Sequence, residues 1–162
     1  MGPSLAVNGV PLVNRLADPA IDLYQGDTLI MTNNNWKDSQ QTEIEATGIP
    51  PTDDLESAII ATLAPGSYTA VLRGNNGETG NGLFEVYDLD AAANSTLANV
   101  SARGLVQTGD DVLIAGFIIG SGESDTMVVR AIGPSLADAG IANPLQDPHV
   151  GSVRCQRRRH HE

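Results

Sequence analysis

The side chains that could do chemistry in this sequence gather in three short stretches rich in carboxylates and amides. Asn33, Asn34, Asn35 and Asp38 form the first, Asp53, Asp54 and Glu56 the second, and Asp88 with Asp90 the third. Calcium takes about six to eight hard oxygen ligands from carboxylates, amides and backbone carbonyls, so loops of this composition suit it. None of the three has EF-hand spacing, and the bland reading is solvated turns in which Asn and Asp side chains bond their own backbone. If a cation binds, calcium is expected, through Asn33, Asn35, Asp38, Asp53 and Asp54. Trp36, the one tryptophan, stands inside the first stretch. A flat aromatic beside an amide such as Asn34 is one way to grip a sugar ring. A loop tryptophan also folds back to cap a core, and that is the favoured reading here.

Catalysis lacks the parts. Outside the final residues the sequence has one histidine, His149. No G-x-S-x-G nucleophile elbow occurs, and Gly120-Ser121-Gly122 has the wrong spacing for one. A Ser/His/Asp set would depend on His149, whose counterpart in an internal repeat described below is Ala20. The glycine-rich run Gly74–Gly82 lacks the Gly-Lys-Ser/Thr of a phosphate-binding loop, and its Glu78 would repel phosphate. It reads as a long hairpin loop. No enzymatic activity and no cofactor are expected.

The elements that must position these residues follow from composition. Hydrophobic residues are 41% of the 162, aromatics only 4%, and there are 17 Gly and 9 Pro. A core of Val, Ile, Leu and Ala with dense punctuation suits short strands and tight turns. Residues 1–153 hold five basic and nineteen acidic residues, a balance of −14. Such a surface repels nucleic acid and anionic membranes, which require a basic footprint. Lys37 is the sole lysine, which removes most lysine chemistry and leaves little scope for Lys–Asn cross-links. Cys155 is the sole cysteine, so no disulfide forms within the chain. No apolar run is long enough to span a membrane.

Two blocks recur in order. Gly2-Pro3-Ser4-Leu5-Ala6 and Leu16-Ala17-Asp18-Pro19-Ala20-Ile21 are matched by Gly133-Pro134-Ser135-Leu136-Ala137 and Leu145-Gln146-Asp147-Pro148-His149-Val150. The offsets are 131 residues for the first block and 129 for the second. This reads as a tandem repeat: residues 1–132 one unit, residues 133–150 the start of a second. On this reading Asp125–Ile132 is the strand that opens a unit, exchanged between neighbouring repeats or between copies in a homo-oligomer. The alternative is that the second copy hangs as a frayed end. Residues 151–162, with Arg154, Arg157, Arg158 and Arg159, depart abruptly in composition and read as a non-native basic tail.

Period-two alternation predicts strands at 20–24 and 28–32, joined through Gln25-Gly26-Asp27. Residues 57–63 and 67–73 read as a hairpin through Ala64-Pro65-Gly66. Further strands are expected at 83–87, 96–103, 111–119 and 125–132, the last two flanking Gly120–Ser124. Only 134–141 invites a helical turn. About eight strands without intervening helices predict an all-β fold, an antiparallel sandwich of jelly-roll type. Asn94-Ser95-Thr96 and Asn99-Val100-Ser101 fit the N-glycosylation pattern, which short sequences meet often by chance.

Several phrases carry a family likeness. Ile21-Asp22-Leu23-Tyr24, a polar Asn-rich loop with Trp36, and Leu63-Ala64-Pro65-Gly66-Ser67-Tyr68-Thr69-Ala70-Val71-Leu72 resemble the bacterial pre-peptidase C-terminal domains. Those are β-sandwich modules appended to secreted proteases and other extracellular enzymes. The most specific phrase, LxPGxYTxxV, here ends in Leu72. The GPSLA blocks and the TGDDVLIAGFIIG run also resemble uncharacterised repeats of large surface or secreted proteins of environmental bacteria. Where those repeats have a DNW-like phrase, this chain has Asn34-Asn35-Trp36, a departure. The likeness implies an extracellular accessory module and carries no catalytic residues over. The expectation is a non-catalytic structural or adhesion repeat of a secreted or cell-surface bacterial protein. Two alternatives stand beside it: a polysaccharide-binding accessory domain using Trp36, and a calcium-stabilised module.

Overall fold

A computed structural model describes residues 1–7, 9–90, 100–106, 113–115 and 128–151 of the chain. The fold is all-β, with strands β1 (Ala6–Val7), β2 (Val10–Pro11), β3 (Pro19–Gln25), β4 (Thr28–Asn33) and β5 (Tyr68–Gly74). The chain divides into two compact units, Met1–Ala98 and Asn99–Glu162.

β3 is the spine of a three-stranded antiparallel sheet, ordered β4-β3-β5. Pro19, which cannot donate to a ladder, sits at the first position of the strand, where that loss matters least. β3 and β4 form the expected hairpin, with Gln25 opposite Thr28 and only Gly26-Asp27 between. Gly26 has φ +58°, the left-handed value that such two-residue turns require and glycine adopts freely. A bulge between Leu23 and Tyr24 adds one residue of slip to the pairing with β4. The pairing of β3 with β5 runs without slip from Pro19↔Gly74 to Gln25↔Tyr68.

β5 therefore partners a strand more than forty positions away, not residues 57–63 as the Ala64-Pro65-Gly66 turn suggests. An unbroken seven-residue register on a central strand outweighs a local hairpin, and the backbone of 57–63 is engaged by side chains instead. Asn33 Oδ1 accepts from Ala58 N at 3.0 Å. Gln40 pairs with Ile60 as a strand residue would, donating to its carbonyl at 2.8 Å and accepting from its amide at 3.2 Å. Residues 57–63 and 83–87 join no ladder among the described residues.

One helix departs from the sequence expectation. α1 (Gln41–Ala46) is six residues long and buries a single side chain, Ile44. Its residues are good helix formers, and Gln41 Nε2 bonds Glu45 Oε1 one turn on at 2.8 Å. Fewer than two turns leave no period to detect. The expected turn after Gly133 is a 3-10 helix over Pro134–Ala137. Within their own units the two GPSLA blocks share two local features. Leu5 N donates to Gly2 O at 3.0 Å and Leu136 N to Gly133 O at 2.9 Å. A Cβ on Gly2 would collide with Leu16 O, and one on Gly133 with Leu145 O. Only glycine permits that approach.

The glycine-rich run after β5 packs against the segment before β3 and is not an open hairpin tip. Asn75 N and Nδ2 donate to Asp18 O and Oδ2, each at 2.8 Å. Asn81 N donates to Asn14 O and Leu16 N to Asn81 O, at 2.7 and 2.8 Å. The described parts of the other expected strands, 100–103, 113–115 and 128–132, join no ladder among the described residues, and 96–99, 111–112, 116–119 and 125–127 lie outside the described residues. So do the 120–124 connection, Asn94, Asn99 and the basic tail after Gly151 with Cys155.

Candidate functional site

Two of the three acidic and amide stretches meet in space, with Trp36 between them. Trp36 N donates to Glu56 O at 2.8 Å and its Nε1 donates to Asp53 O at 3.1 Å. The indole is buried, 5% exposed, and the Lys37 ammonium stands 5.1 Å from its ring centroid. Lys37 Nζ also pairs with Asp54 at 2.5 Å, both groups facing solvent. Trp36 thus pins residues 53–56 from within.

Several of the carboxylate and amide groups around it are turned to internal bonds, while Asn34 Oδ1 is buried without a hydrogen-bond partner among the described residues. Asn33 Nδ2 donates to Asn35 O at 2.9 Å while its Oδ1 holds Ala58 N. Asn34 Nδ2 reaches Asn35 Oδ1 at 3.4 Å, and Asn35 Nδ2 reaches Asp38 Oδ2 at 3.3 Å. Asp53 Oδ1 accepts from Leu55 N at 2.9 Å, closing an Asx-turn, and Asp90 N donates to Asp88 Oδ1 at 3.0 Å in the same manner. Asn33 ends β4 and Asn35 and Asp38 lie in the loop that follows, while Asp53 holds the Trp36 indole N–H and Asp54 the neighbouring Lys37. Among the described residues no group of three or more His, Cys, Asp or Glu side chains is placed to hold a metal ion.

Glu56 does something that its sequence position does not announce. It is fully buried, and its Oε1 accepts from Gly2 N at 3.0 Å, Ser4 N at 3.1 Å and Ser4 Oγ at 2.5 Å. Burial pushes its pKa up, but the Ser4 hydroxyl and the Ser4 and Gly2 amides, helped by the nearby amino terminus, outweigh this and hold it below the usual carboxylate range. Its Oε2 is buried without a hydrogen-bond partner among the described residues. One carboxylate thereby reads the Gly-Pro-Ser turn through its amides and hydroxyl. In the sequence the residue stands out only as part of an acidic stretch. The signal that could have found it is the identical GPS in both blocks, which presents two amides and a hydroxyl in one small turn and calls for a buried anion.

β3 carries an ion pair of its own, Asp22 with Arg73. Asp22, 8% exposed, accepts from Arg73 Nε at 2.7 Å, Arg73 Nη2 at 3.1 Å and Thr32 Oγ1 at 2.6 Å. The Arg73 fork, with Thr32 adding to it, holds the Asp22 carboxyl below its ordinary range. The register explains the set: Thr32 is directly opposite Asp22, and Arg73 lies opposite Ala20, a diagonal neighbour on the same face.

His149 lies in the other unit, exposed, 3.3 Å from Asp147 Oδ2. Among the described residues no helix is long and apolar enough to cross a membrane. Comparison with family models, with curated proteins and with solved structures found no match to this chain.

Proposed function

We propose that this chain is a non-catalytic structural repeat module of a secreted or cell-surface bacterial protein, built as an antiparallel β-sandwich of about eight strands. The three-stranded sheet is one layer of that sandwich. The observation that carries the reading is how the repeated motif is used: Gly2-Pro3-Ser4 is seated in the body of the chain by Glu56 and by the Leu16 carbonyl. A motif that recurs at a 131-residue offset and serves as a structural joint suits a tandem array. The bonded state of the polar stretches supports a structural role over ligand capture, since the amides of Asn33, Asn34 and Asn35 and one carboxylate oxygen each of Asp38, Asp53 and Glu56 are spent within the chain. The acidic balance and the pre-peptidase C-terminal likeness fit an extracellular bacterial setting.

A ligand screen on the full chain tests the reading. A polysaccharide array is expected to stay silent, and the melting temperature to be unmoved by EDTA or added calcium. Retention of a polysaccharide that is lost in Trp36→Ala would replace the reading with a carbohydrate-binding one. A fall in melting temperature with EDTA that calcium restores would replace it with a calcium-stabilised module, since a ligand bound to the folded state alone must stabilise it.

A further inference from the structure

Asparagine followed by glycine is the dipeptide in which a chain most readily attacks its own side chain, because the second residue has no Cβ to obstruct the approach of its amide nitrogen. The sequence holds three such pairs. Asn8 of the first lies outside the described residues. The other two, Asn76-Gly77 and Asn81-Gly82, stand close together in the glycine-rich run after β5, and both are exposed. Their backbones are held very differently.

Attack requires the peptide between the two residues to swing until the glycine nitrogen faces the asparagine Cγ. At Asn76 little resists that swing. Asn75–Gly77 is one 3-10 turn, with Asn76 and Gly77 both left-handed at φ +51° and +78°, a region that asparagine visits at a cost and glycine freely. A Cβ built on Gly77 meets nothing within 4 Å. The turn closes with Glu78 N donating to Asn75 O at 3.0 Å, and the Asn76 side chain bonds nothing among the described residues. Asn81 is fastened on both sides. Its N donates to Asn14 O at 2.7 Å and its carbonyl accepts from Leu16 N at 2.8 Å, a bridge astride Arg15, while its Nδ2 reaches Val13 O at 3.5 Å. A Cβ on Gly82 would stand 2.7 Å from Leu72 Cδ2. Turning the peptide after Asn81 pulls its carbonyl off Leu16 and drives it toward a packed neighbour.

We infer that Asn76-Gly77 is a self-modification site. The Gly77 amide nitrogen gives its proton to water and bonds to Asn76 Cγ; the bond from Cγ to Nδ2 breaks, and ammonia leaves after taking a proton from solvent. The product is a cyclic succinimide. Water then opens the ring at either carbonyl, to aspartate or to isoaspartate. Both products replace a neutral amide by a carboxylate, and isoaspartate also lengthens the backbone by a methylene between Asn75 and Glu78. The chain has no slack there. Glu78 O approaches Gly74 so closely that a Cβ on Gly74 would collide with it, and Asn75 N and Nδ2 hold Asp18 O and Oδ2, each at 2.8 Å. Isoaspartate therefore opens the Asn75–Glu78 turn and loosens the seat of the run on Asp18. Aspartate, which tolerates the left-handed region as asparagine does, keeps it.

The experiment ages the full chain in warm, mildly alkaline buffer and maps its peptides by mass spectrometry, with electron-transfer fragmentation to tell isoaspartate from aspartate. In the folded chain Asn76 is expected to convert at least about ten-fold faster than Asn81, which must first give up backbone hydrogen bonds. In urea, which removes those bonds, the two rates should come within about two-fold of each other. Equal rates in the folded chain, an Asn76 that converts only in urea, or a ratio that survives unfolding each overturn the assignment. Hydrogen exchange at Asn75 N is expected to quicken at least about ten-fold in the isoaspartate fraction and to stay within about two-fold of the parent in Asn76→Asp. Protection retained with isoaspartate in place, or lost equally in Asn76→Asp, defeats the backbone argument.

Discussion

Replacing Glu56 by Gln tests whether one buried carboxylate holds the amino-terminal turn. The amide keeps a carbonyl oxygen for Gly2 N, Ser4 N and Ser4 Oγ, so the shape of the site is preserved. Two things change. The acceptor loses its charge, and hydrogen bonds to charged groups are worth roughly 1.5–3 kcal/mol against about 1 for neutral ones. The new NH2 takes the place of Oε2, which is buried without a partner among the described residues, and an unsatisfied buried donor costs about 1–3 kcal/mol. Relief of the carboxylate's own desolvation offsets part of both, so the expected net loss is about 2 kcal/mol. For a unit of this size each kcal/mol moves the midpoint by roughly 4–8 °C, which puts the variant some 8–16 °C lower in calorimetry. The acid limb gives an independent reading. With its folded pKa below the unfolded value, Glu56 contributes its full stabilisation above the ordinary carboxylate range and loses it as pH falls through the folded value. Glu56→Gln removes that share of the acid slope and leaves the share due to Asp22. A variant that melts within about 0.5 kcal/mol of the parent, with an unchanged acid limb, would show that the turn is held by packing alone and refute the argument.

Arg73→Met is expected to cost about 1–2 kcal/mol in urea unfolding, the figure being trimmed because Arg73 is half exposed. Asp22, like Glu56, stabilises above the usual carboxylate range; without its fork its folded pKa moves back toward the unfolded value, so its share of the acid loss shrinks and the acid limb flattens, and an unmoved limb would contradict the pair's role. Gly2→Ala and Gly133→Ala each force a methyl against a leucine carbonyl, at a cost of about 1–3 kcal/mol. Hydrogen exchange should accelerate around Gly2–Leu5 and Leu16 in the first variant and around Gly133–Leu145 in the second; exchange unchanged in either would deny that close approach. Trp36 should emit as a buried indole resistant to iodide, and Trp36→Phe, which strands the Asp53 carbonyl, should lower stability by about 1–2 kcal/mol. Red-shifted, freely quenched emission would place the ring on the surface instead.

What is legible in the sequence is what periodicity and turn chemistry encode. The alternation in Ala20–Tyr24 and the Gln25-Gly26-Asp27 turn lead directly to the β3–β4 hairpin. Tyr68–Gly74 reads as a strand but with the wrong partner, because a Pro-Gly turn advertises a local hairpin and nothing local advertises a register forty positions long. The polar stretches are legible as clusters and not as geometry. Asn33, Asp53 and Asp88 take the turn and loop-closing bonds open to their residue types, but the meeting of 33–38 with 53–56 around Trp36 depends on tertiary approach. Glu56 is the clearest case: its neighbours in sequence are acidic, and its partners are Gly2 and Ser4.

The amide side chains explain how a chain this poor in aromatics keeps its loops in order. A hydrophobic loop is held by burial, which needs bulk, and residues 33–60 have little beyond Trp36 and Ile44 that is buried. Side chains that imitate backbone supply the alternative. Gln40 offers Ile60 one donor and one acceptor, the pair a strand residue would offer, and Asn33 bridges its own loop to Ala58. Each such bond is directional and satisfies a group that would otherwise lack a partner. The same logic reaches the repeat motif, where Glu56 meets two amides and a hydroxyl with a single oxygen. Since those bonds depend on the backbone and one hydroxyl of Gly-Pro-Ser, any segment that presents the same turn can occupy the seat. On the proposed repeat-module reading, a joint read through backbone amides, and not through a unique side chain, is one that each recurrence of Gly-Pro-Ser would be able to make.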